Sequence, residues 1–230
     1  MTKRIIFNQE SPQKNIKNHL QKYSGLFLLA FALITITGLS TNHYLQKKQN
    51  QENTKIIEDL AQIQYLMEQN KYSEAFSGQP GIYLGLEALS QKKIHDKRLA
   101  SLINFYIAII YKQKKNYQAA LNHIQKVQFS STTLQSRLKC LQGDIHCEIQ
   151  NYHQALNSYL QATKLNPNKF TTPTYWFKAA HIYQKQKAYD KAIEAYQTII
   201  DKYPTCRQYT QAQKHLERIK SLRKNQKNHQ

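Results

Sequence analysis

Cysteine and glycine, the residues of disulfide frameworks and of phosphate-binding loops, are scarce in this chain. Three cysteines, Cys140, Cys147 and Cys206, are too few and odd in number for a disulfide framework. Two of them, Cys140 and Cys147, share a predicted helix with roughly 10 Å of rise between them, which is too far for a disulfide bond. The six glycines are scattered, so no glycine-rich loop is available to hold a phosphate group.

Motifs of catalytic centres are missing as well. The sequence has no paired-histidine metal motif, no nucleophile elbow and no Cys-x-x-Cys pair, and its histidines and cysteines do not have the spacing of zinc ligands. Asp144 and Glu148 stand one helical turn apart, and we interpret them as part of a solvated helix face rather than as a pair of catalytic carboxylates. We therefore predict a protein that is not an enzyme and has no catalytic residues, no cofactor and no metal site.

Acidic residues are few, since 14 Asp and Glu stand against 33 Lys and Arg. Such an excess of positive charge is typical of proteins that bind nucleic acid or an anionic membrane surface. The lysines are scattered singly or in pairs without interleaved aromatics, however, which makes nucleic acid an unlikely partner. A chain rich in Lys, Asn, Ile, Gln and Tyr is also what an AT-rich genome produces, so the charge fits either a selected basic surface or compositional drift.

One uncharged segment lies near the N-terminus, at residues 24–40. As a helix it would be about 25 Å long, at the short end of what spans a bilayer, and Tyr23 and Tyr44 flank it where amphipathic aromatics are favoured. A cleaved signal peptide is the alternative, because small residues lie near the end of the segment. We favour an uncleaved transmembrane helix over residues 24–44, which would attach the protein to a membrane.

The distribution of basic residues predicts the orientation of this segment. Five Lys and Arg precede it in a polar tail, residues 1–23, and three follow within about twenty residues. Positive charge is enriched on the cytoplasmic side of spans. The tail is therefore expected in the cytoplasm and the C-terminal domain outside it.

A pattern of large and small residues dominates the C-terminal half and is clearest from Trp176 to Pro204. Small residues at Ala180 and Ala192 would let two antiparallel helices approach closely, aromatics would fill the space beside them, and Pro204 would end the second helix. The same spacing recurs in two preceding units, with the small residues Ala108, Ala120, Gly143 and Ala155 at the matching positions. Such a unit cannot bury its own apolar face, so neighbouring copies must stack.

This pattern is that of the tetratricopeptide repeat, a helix–turn–helix of about 34 residues. The predicted fold is all-α: one transmembrane helix, then a tetratricopeptide-type α-solenoid of antiparallel helix hairpins with a C-terminal capping helix. Residues 45–53 are predicted to be a linker or a solvated extension of the membrane helix. The remaining predicted segments are a degenerate first repeat at 54–100, repeats at 101–134, 136–169 and 173–206, a capping helix at 207–223 and a flexible tail at 224–230.

The first helix of each hairpin lines the concave side of such arrays, which makes it the predicted peptide-binding surface. Some tetratricopeptide domains hold a C-terminal carboxylate with Lys and Asn on these helices, but the matching positions here carry other side chains. His181 is interpreted as a groove or structural histidine rather than a catalytic one. The candidate residues for a concave binding face are Phe105, Ile109, Lys112, Asp144, Phe177, His181 and Lys185.

The layout of a basic tail, one short apolar segment and a repeat domain with a degenerate first hairpin resembles a bacterial family that contains the ancillary subunit of the SecYEG translocon. The segments GIYLGLEAL, from Gly81 to Leu89, and FTTPTYWFKAAHIYQKQKAYDKAIEAYQTII, from Phe170 to Ile200, carry the likeness. The resemblance implies an inner-membrane protein with periplasmic repeats that bind translocon subunits, secreted proteins or periplasmic chaperones. The strongly basic repeat domain of this chain departs from the family.

A second reading of the function stays open at this point. The repeats could face the cytoplasm, where their basic surface would bind nucleic acid or an anionic lipid surface. Binding of that kind would weaken steeply with salt.

Overall fold

The computed structural model describes the backbone of residues 12–228 and the side chains of residues 33–226. These residues fall into two compact units that divide after Lys55. The elements in chain order are α1 (Pro12–Glu68), α2 (Tyr72–Ser77), β1 (Gly78–Gln79), β2 (Tyr83–Leu84), α3 (Leu86–Gln91), α4 (Lys97–Gln113), α5 (Tyr117–Ile124), α6 (Thr132–Glu148), α7 (Tyr152–Leu165), α8 (Thr172–Lys185), α9 (Tyr189–Lys202) and α10 (Tyr209–Asn228).

In the first unit, the described residues form the N-terminal part of α1. Residues 45–53, predicted as a linker or as a solvated extension of the preceding helix, are helical, because they contain good helix formers and neither proline nor glycine. Among the described residues, no helix is long and apolar enough to cross a membrane. Residues 24–32 of the predicted span, and the predicted tail at 1–23, lie outside the residues whose side chains are described.

The second unit is built from helix hairpins that all turn in the same way. Four residues adopt positive φ angles between 57° and 60°, and each is the second residue after the end of the first helix of a hairpin: Asn70, Lys115, Gln150 and Lys187. Two backbone hydrogen bonds close each turn, as where the amide of Gln150 donates to the carbonyl of Cys147 (3.0 Å) and that of Asn151 to His146 (2.8 Å). This is a helix C-cap with one left-handed residue. The turn at Asn70 gives the region predicted as a degenerate first repeat the same hairpin geometry.

Small residues lie where the two helices of each hairpin cross. Ala108, Ala120, Ala155, Ala180 and Ala192 are fully buried. Gly143 on α6 packs against the ring of Tyr159 on α7, so closely that a Cβ atom placed on Gly143 would lie 2.5 Å from Cε1 of that ring. The sequence pattern of small residues facing aromatics is therefore realised as close helix–helix contact, and the all-α repeat architecture is confirmed.

The region between residues 56 and 100 contains the only strands in the described part of the chain. A two-stranded antiparallel hairpin pairs Gly78 with Leu84 and Gln79 with Tyr83, within the segment predicted as a degenerate first repeat. The backbones at Gly78 and Gly85 approach so closely that a Cβ on Gly85 would lie 2.2 Å from the Gly78 nitrogen. This contact explains why the segment GIYLGLEAL needs its second glycine. Buried side chains of the last turns of α1, of α3 and of α4 form the core here.

The C-terminal helix extends beyond its predicted end. The capping helix was expected at residues 207–223 with a flexible tail after it, whereas α10 continues to Asn228. Its buried residues Ala212, Leu216 and Ile219 pack with the core of α8 and α9. The extra turn follows from the absence of proline and glycine between residues 223 and 228.

Replacing Gly143 with alanine tests the close approach of α6 and α7. An exposed helical glycine usually gains stability on this change, but here the new methyl group would collide with the Tyr159 ring. We expect Gly143→Ala to lower the free energy of unfolding by about 1–3 kcal/mol, measured by chemical denaturation. Gly38→Ala is the control, because nothing lies within 4 Å of the added carbon. Equal or higher stability of Gly143→Ala would contradict the packing described.

Candidate peptide-binding groove

A depression of about 380 Å³ lies along the first helices of successive hairpins in the second unit. Three of the predicted binding residues line it, namely Phe105 and Ile109 on α4 and Asp144 on α6. Its walls combine apolar side chains with charged groups, a mixture that suits a peptide. The lining residues are Gln64, Met67, Glu68, Phe105, Tyr106, Ile109, Arg137, Cys140, Leu141, Asp144 and Tyr175.

Asp144 is the centre of a polar network that joins four helices. Its Oδ1 accepts a hydrogen bond from the Tyr159 hydroxyl (2.8 Å) and pairs with the ammonium of Lys178, while Lys112 Nζ lies 3.8 Å from its Oδ2. The Asp144 side chain is 19 % exposed. The prediction that Asp144 belongs to a solvated helix face is therefore wrong. The carboxylate instead neutralises part of the charge of two half-buried lysines, from α4 and α8. Glu148, one turn later, is exposed.

Burial keeps the phenol of Tyr159 and the thiol of Cys140, both close to Asp144, in their protonated, neutral forms. Burial raises the pKa of Tyr159, and the charge of Asp144 adds to the effect, so the phenol keeps its proton and acts as a donor. Burial also raises the pKa of Cys140 to about 11, again with help from Asp144. Since the thiolate is the reactive form, Cys140 is a poor nucleophile at neutral pH.

The lysine opposite Asp144 keeps its charge. Burial acts to lower the pKa of Lys178, but the neighbouring carboxylate of Asp144, which accepts a hydrogen bond from the ammonium, outweighs this effect and leaves the pKa above its usual value. The site therefore consists of a neutral phenol, a neutral thiol, one carboxylate and two ammonium groups. Such a set binds and orients charged groups but offers no activated nucleophile or base.

Phe177 and His181, predicted for the same binding face, lie in a different cluster. The His181 ring is 4.9 Å from the rings of both Phe177 and His215, and Tyr196 stacks on His215 at 5.4 Å between ring centres. These side chains bring α8, α9 and α10 together. Burial lowers the pKa of His215, with smaller contributions from His181 and Arg218. The cluster therefore forms the surface on which the C-terminal helix α10 packs. Its residues do not line the depression beside Ile109.

Lys185 and Lys112, the two lysines among the candidate residues, contact different partners. The Lys185 ammonium lies 5.3 Å from the centre of the Tyr152 ring, a cation–π contact between α8 and α7, whereas Lys112 contacts Asp144. The structure thus brings together Phe105, Ile109, Lys112 and Asp144 and sets the three candidates of α8 apart. Among the side chains from 33 to 226, no group of three His, Cys, Asp or Glu is placed to hold a metal ion.

Several residues of the groove were not found from the sequence. Arg137 lies on the α6 face of Asp144 at helical spacing, and this spacing is the signal that could have identified it. Nothing in the sequence spacing shows that the hydroxyl of Tyr159 reaches Asp144. Gln64, Met67 and Glu68 line the groove because the last turns of α1 pack beside α4. The repeat pattern is degenerate in this region, so it does not predict that packing.

Replacing Asp144 with asparagine tests the network. The change leaves Lys178 half-buried without its counter-charge, so we expect the free energy of unfolding to fall by about 1–3 kcal/mol in chemical denaturation. Glu217→Gln is the matched control. It breaks the Glu217–Lys220 pair on α10, whose side chains are 72 % and 49 % exposed, and should cost less than about 0.5 kcal/mol. Equal effects of the two changes would show that Asp144 is no more than another surface charge.

Comparison with protein-family models identifies the helical units. Models described as tetratricopeptide repeat match residues 136–169 and 173–206, and these bounds coincide with two of the units expected from the sequence. None of the curated proteins searched matches the chain. Together with the hairpin geometry, the matches show that the chain carries tetratricopeptide repeats, helical modules that generally bind other proteins or peptides.

Proposed function

We propose that the chain is a non-catalytic scaffold that is fixed to a membrane by residues 24–44 and binds other proteins or peptides in the groove between α4 and α6. The observation that carries the proposal is the depression along the first helices, lined by Phe105, Ile109 and Asp144. Apolar walls supply contact area to a bound chain, and a few fixed polar groups orient it. The pKa values described above leave no nucleophile there, which supports binding rather than chemistry.

Support for the anchor comes from the first unit. Leu33, Ile34, Ile36 and Leu39 are between 61 % and 70 % exposed, and they continue the uncharged run that begins at residue 24. A helix that is apolar on all sides is stable in a bilayer or inside a protein core. The described contacts of this unit provide no such core, so a membrane is the environment that we propose for residues 24–44.

The cell envelope is the proposed location. A cytoplasmic tail followed by external repeats agrees with the excess of Lys and Arg before residue 24. The resemblance to the translocon-associated family then makes translocon subunits, secreted proteins or periplasmic chaperones the proposed partners. The repeat domain would hold such a partner close to the membrane through the groove.

Site-specific photo-crosslinking tests the binding surface. A photoreactive amino acid at position 109, in the groove, should yield adducts with envelope proteins when the full chain is expressed in intact cells. The same amino acid at position 154, an exposed site on the second helix α7, is the control and should yield few. Adducts of equal yield at both positions, or adducts with cytosolic proteins alone, would overturn the proposal.

A second candidate function has its own support in the net charge of +19. If the repeats face the cytoplasm, their basic surface would bind nucleic acid or anionic lipid. Scattered lysines are sufficient for such non-specific electrostatic binding. Binding of this kind gives no role to the apolar walls of the groove.

A reporter enzyme that is active only outside the cytoplasm separates the two candidates. Fused after residue 230, it should be active in cells that express the full chain and inactive when residues 24–44 are deleted. An inactive reporter on the full chain, together with a fluorescent fusion that lights up in the cytoplasm, would reverse the orientation and favour the second candidate.

A further inference from the structure

A second depression, of about 410 Å³, lies between the two helices of one hairpin, α6 and α7. Each helix contributes a leucine, a lysine and a glutamine from about one turn. None of these side chains lines the groove between α4 and α6, so the two surfaces are distinct. The lining residues are Gln135, Leu138, Lys139, Gln161, Lys164 and Leu165.

The leucines give this depression an apolar surface that the rest of the chain leaves open. Leu138 is buried and Leu165 is half-buried, and the lining comes from α6 and α7 alone. The second helix of the preceding hairpin, α5, has 8 residues against 14 in α7, and no residue of α5 reaches the lining. A large apolar side chain of a partner would therefore find both space and contact area here.

The charge of the lining has one sign. Its two charged residues are Lys139, which is half-buried, and Lys164, which is exposed. The ion pairs found among the described side chains involve neither of them. Both ammonium groups therefore have donors to offer to a bound carboxylate.

The sequence around the depression supplies no counter-charge. Residues 97–189 contain 13 Lys and Arg but two acidic residues, Asp144 and Glu148. Asp144 pairs with Lys178. Glu148 accepts a hydrogen bond from the Tyr117 hydroxyl (3.3 Å). The positive charge of the depression is thus left for a partner to neutralise, which makes carboxylates the complementary groups.

The lining favours a protein partner over a nucleic acid. It contains no aromatic ring on which a base could stack and no arginine to hold a phosphate in bidentate fashion. A phosphate backbone would also leave the two leucines without a contact. A second copy of this chain is disfavoured, because two molecules with a net charge of +19 repel each other.

We infer that this depression is a second docking surface, which binds an acidic segment of another protein. A large apolar side chain of the segment packs between Leu138 and Leu165, and flanking carboxylates bind Lys139 and Lys164. The inference goes beyond the proposed function, because it assigns a partner chemistry to a surface outside the groove. Together the two surfaces would let the repeat domain contact a partner, or two partners, at separate places.

Fluorescence anisotropy with synthetic peptides tests the inference on the purified full chain in a non-ionic detergent. The probe is a labelled, acetylated and amidated peptide of about twelve residues, with one leucine flanked on both sides by glutamates. Its binding should weaken at least about tenfold when glutamines replace the glutamates, because the charge-assisted contacts are lost. It should weaken about fivefold when serine replaces the leucine, because the apolar contact is lost.

Two variants that remove one positive charge from α6 provide the first comparison. Lys139→Gln should weaken binding of the probe about fivefold, since Lys139 lines the depression. Arg137→Gln is the matched control. Arg137 lines the groove instead, so its replacement should leave the affinity within about twofold.

Two variants that add one negative charge to α7 provide the second comparison. Gln161→Glu places a carboxylate in the lining and should weaken binding at least about fivefold by repulsion. Gln154→Glu, two turns earlier and outside the lining, should leave the affinity within about twofold. Both glutamines are exposed, so we expect both variants to fold, and thermal unfolding measured in parallel checks this.

Four results would overturn the inference. Equal losses in Lys139→Gln and Arg137→Gln would show that the probe senses only net charge. Equal binding of the serine peptide would remove the role of the leucines. The absence of saturable binding of the probe would remove the site itself. A short single-stranded RNA that displaces the probe and loses affinity in Lys139→Gln would assign the depression to nucleic acid.

Discussion

The contact between Gly143 and the ring of Tyr159 is the constraint on which both the fold and the groove depend. Because position 143 has no side chain, α6 and α7 approach until the ring lies against the helix backbone. At that distance the Tyr159 hydroxyl reaches Asp144, and Asp144 in turn holds Lys178 and faces Lys112. One small residue in the core thus sets the position of the charged groups beside the groove. The packing of the second repeat and the geometry of the groove are coupled at this point.

The groove and the C-terminal aromatic cluster are two separate regions of the repeat domain. Around Asp144, two lysines and the carboxylate are mostly buried, while at the C-terminal end of the array Phe177, His181 and Tyr196 pack against His215 of α10. Closing that end protects the last hairpin from solvent, as terminal helices of repeat arrays generally do. The net charge of +19 is spread over the chain. Such a basic surface is a source of long-range attraction for acidic partners.

The repeat pattern could be predicted because it depends on local spacing: Gly143, Ala180 and Ala192 are small wherever two helices must cross. The left-handed turn residues could not be predicted. None of Asn70, Lys115, Gln150 and Lys187 is a glycine, and they adopt their φ angles because the hairpin closes around them. Of the seven candidate residues, three line the groove, namely Phe105, Ile109 and Asp144. Phe177 and His181 were assigned to it by position in the repeat, but α10 packs near them and gives them a different role. The packing of α10 against α8 is a tertiary contact, and the sequence periodicity of α8 does not predict it.

Hydrogen–deuterium exchange of the full chain, with and without a partner protein captured by the crosslinker at position 109, measures directly where a ligand is held. Binding in the groove predicts slower amide exchange in residues 103–112 of α4 and 137–148 of α6, because a bound segment suppresses local opening of the helices that it bridges. Exchange in residues 209–222 of α10 should stay unchanged, since that helix lies at the closed end of the array. Protection concentrated in α10, or a bound partner with no protection in α4 and α6, would contradict the assignment of the groove as the binding surface.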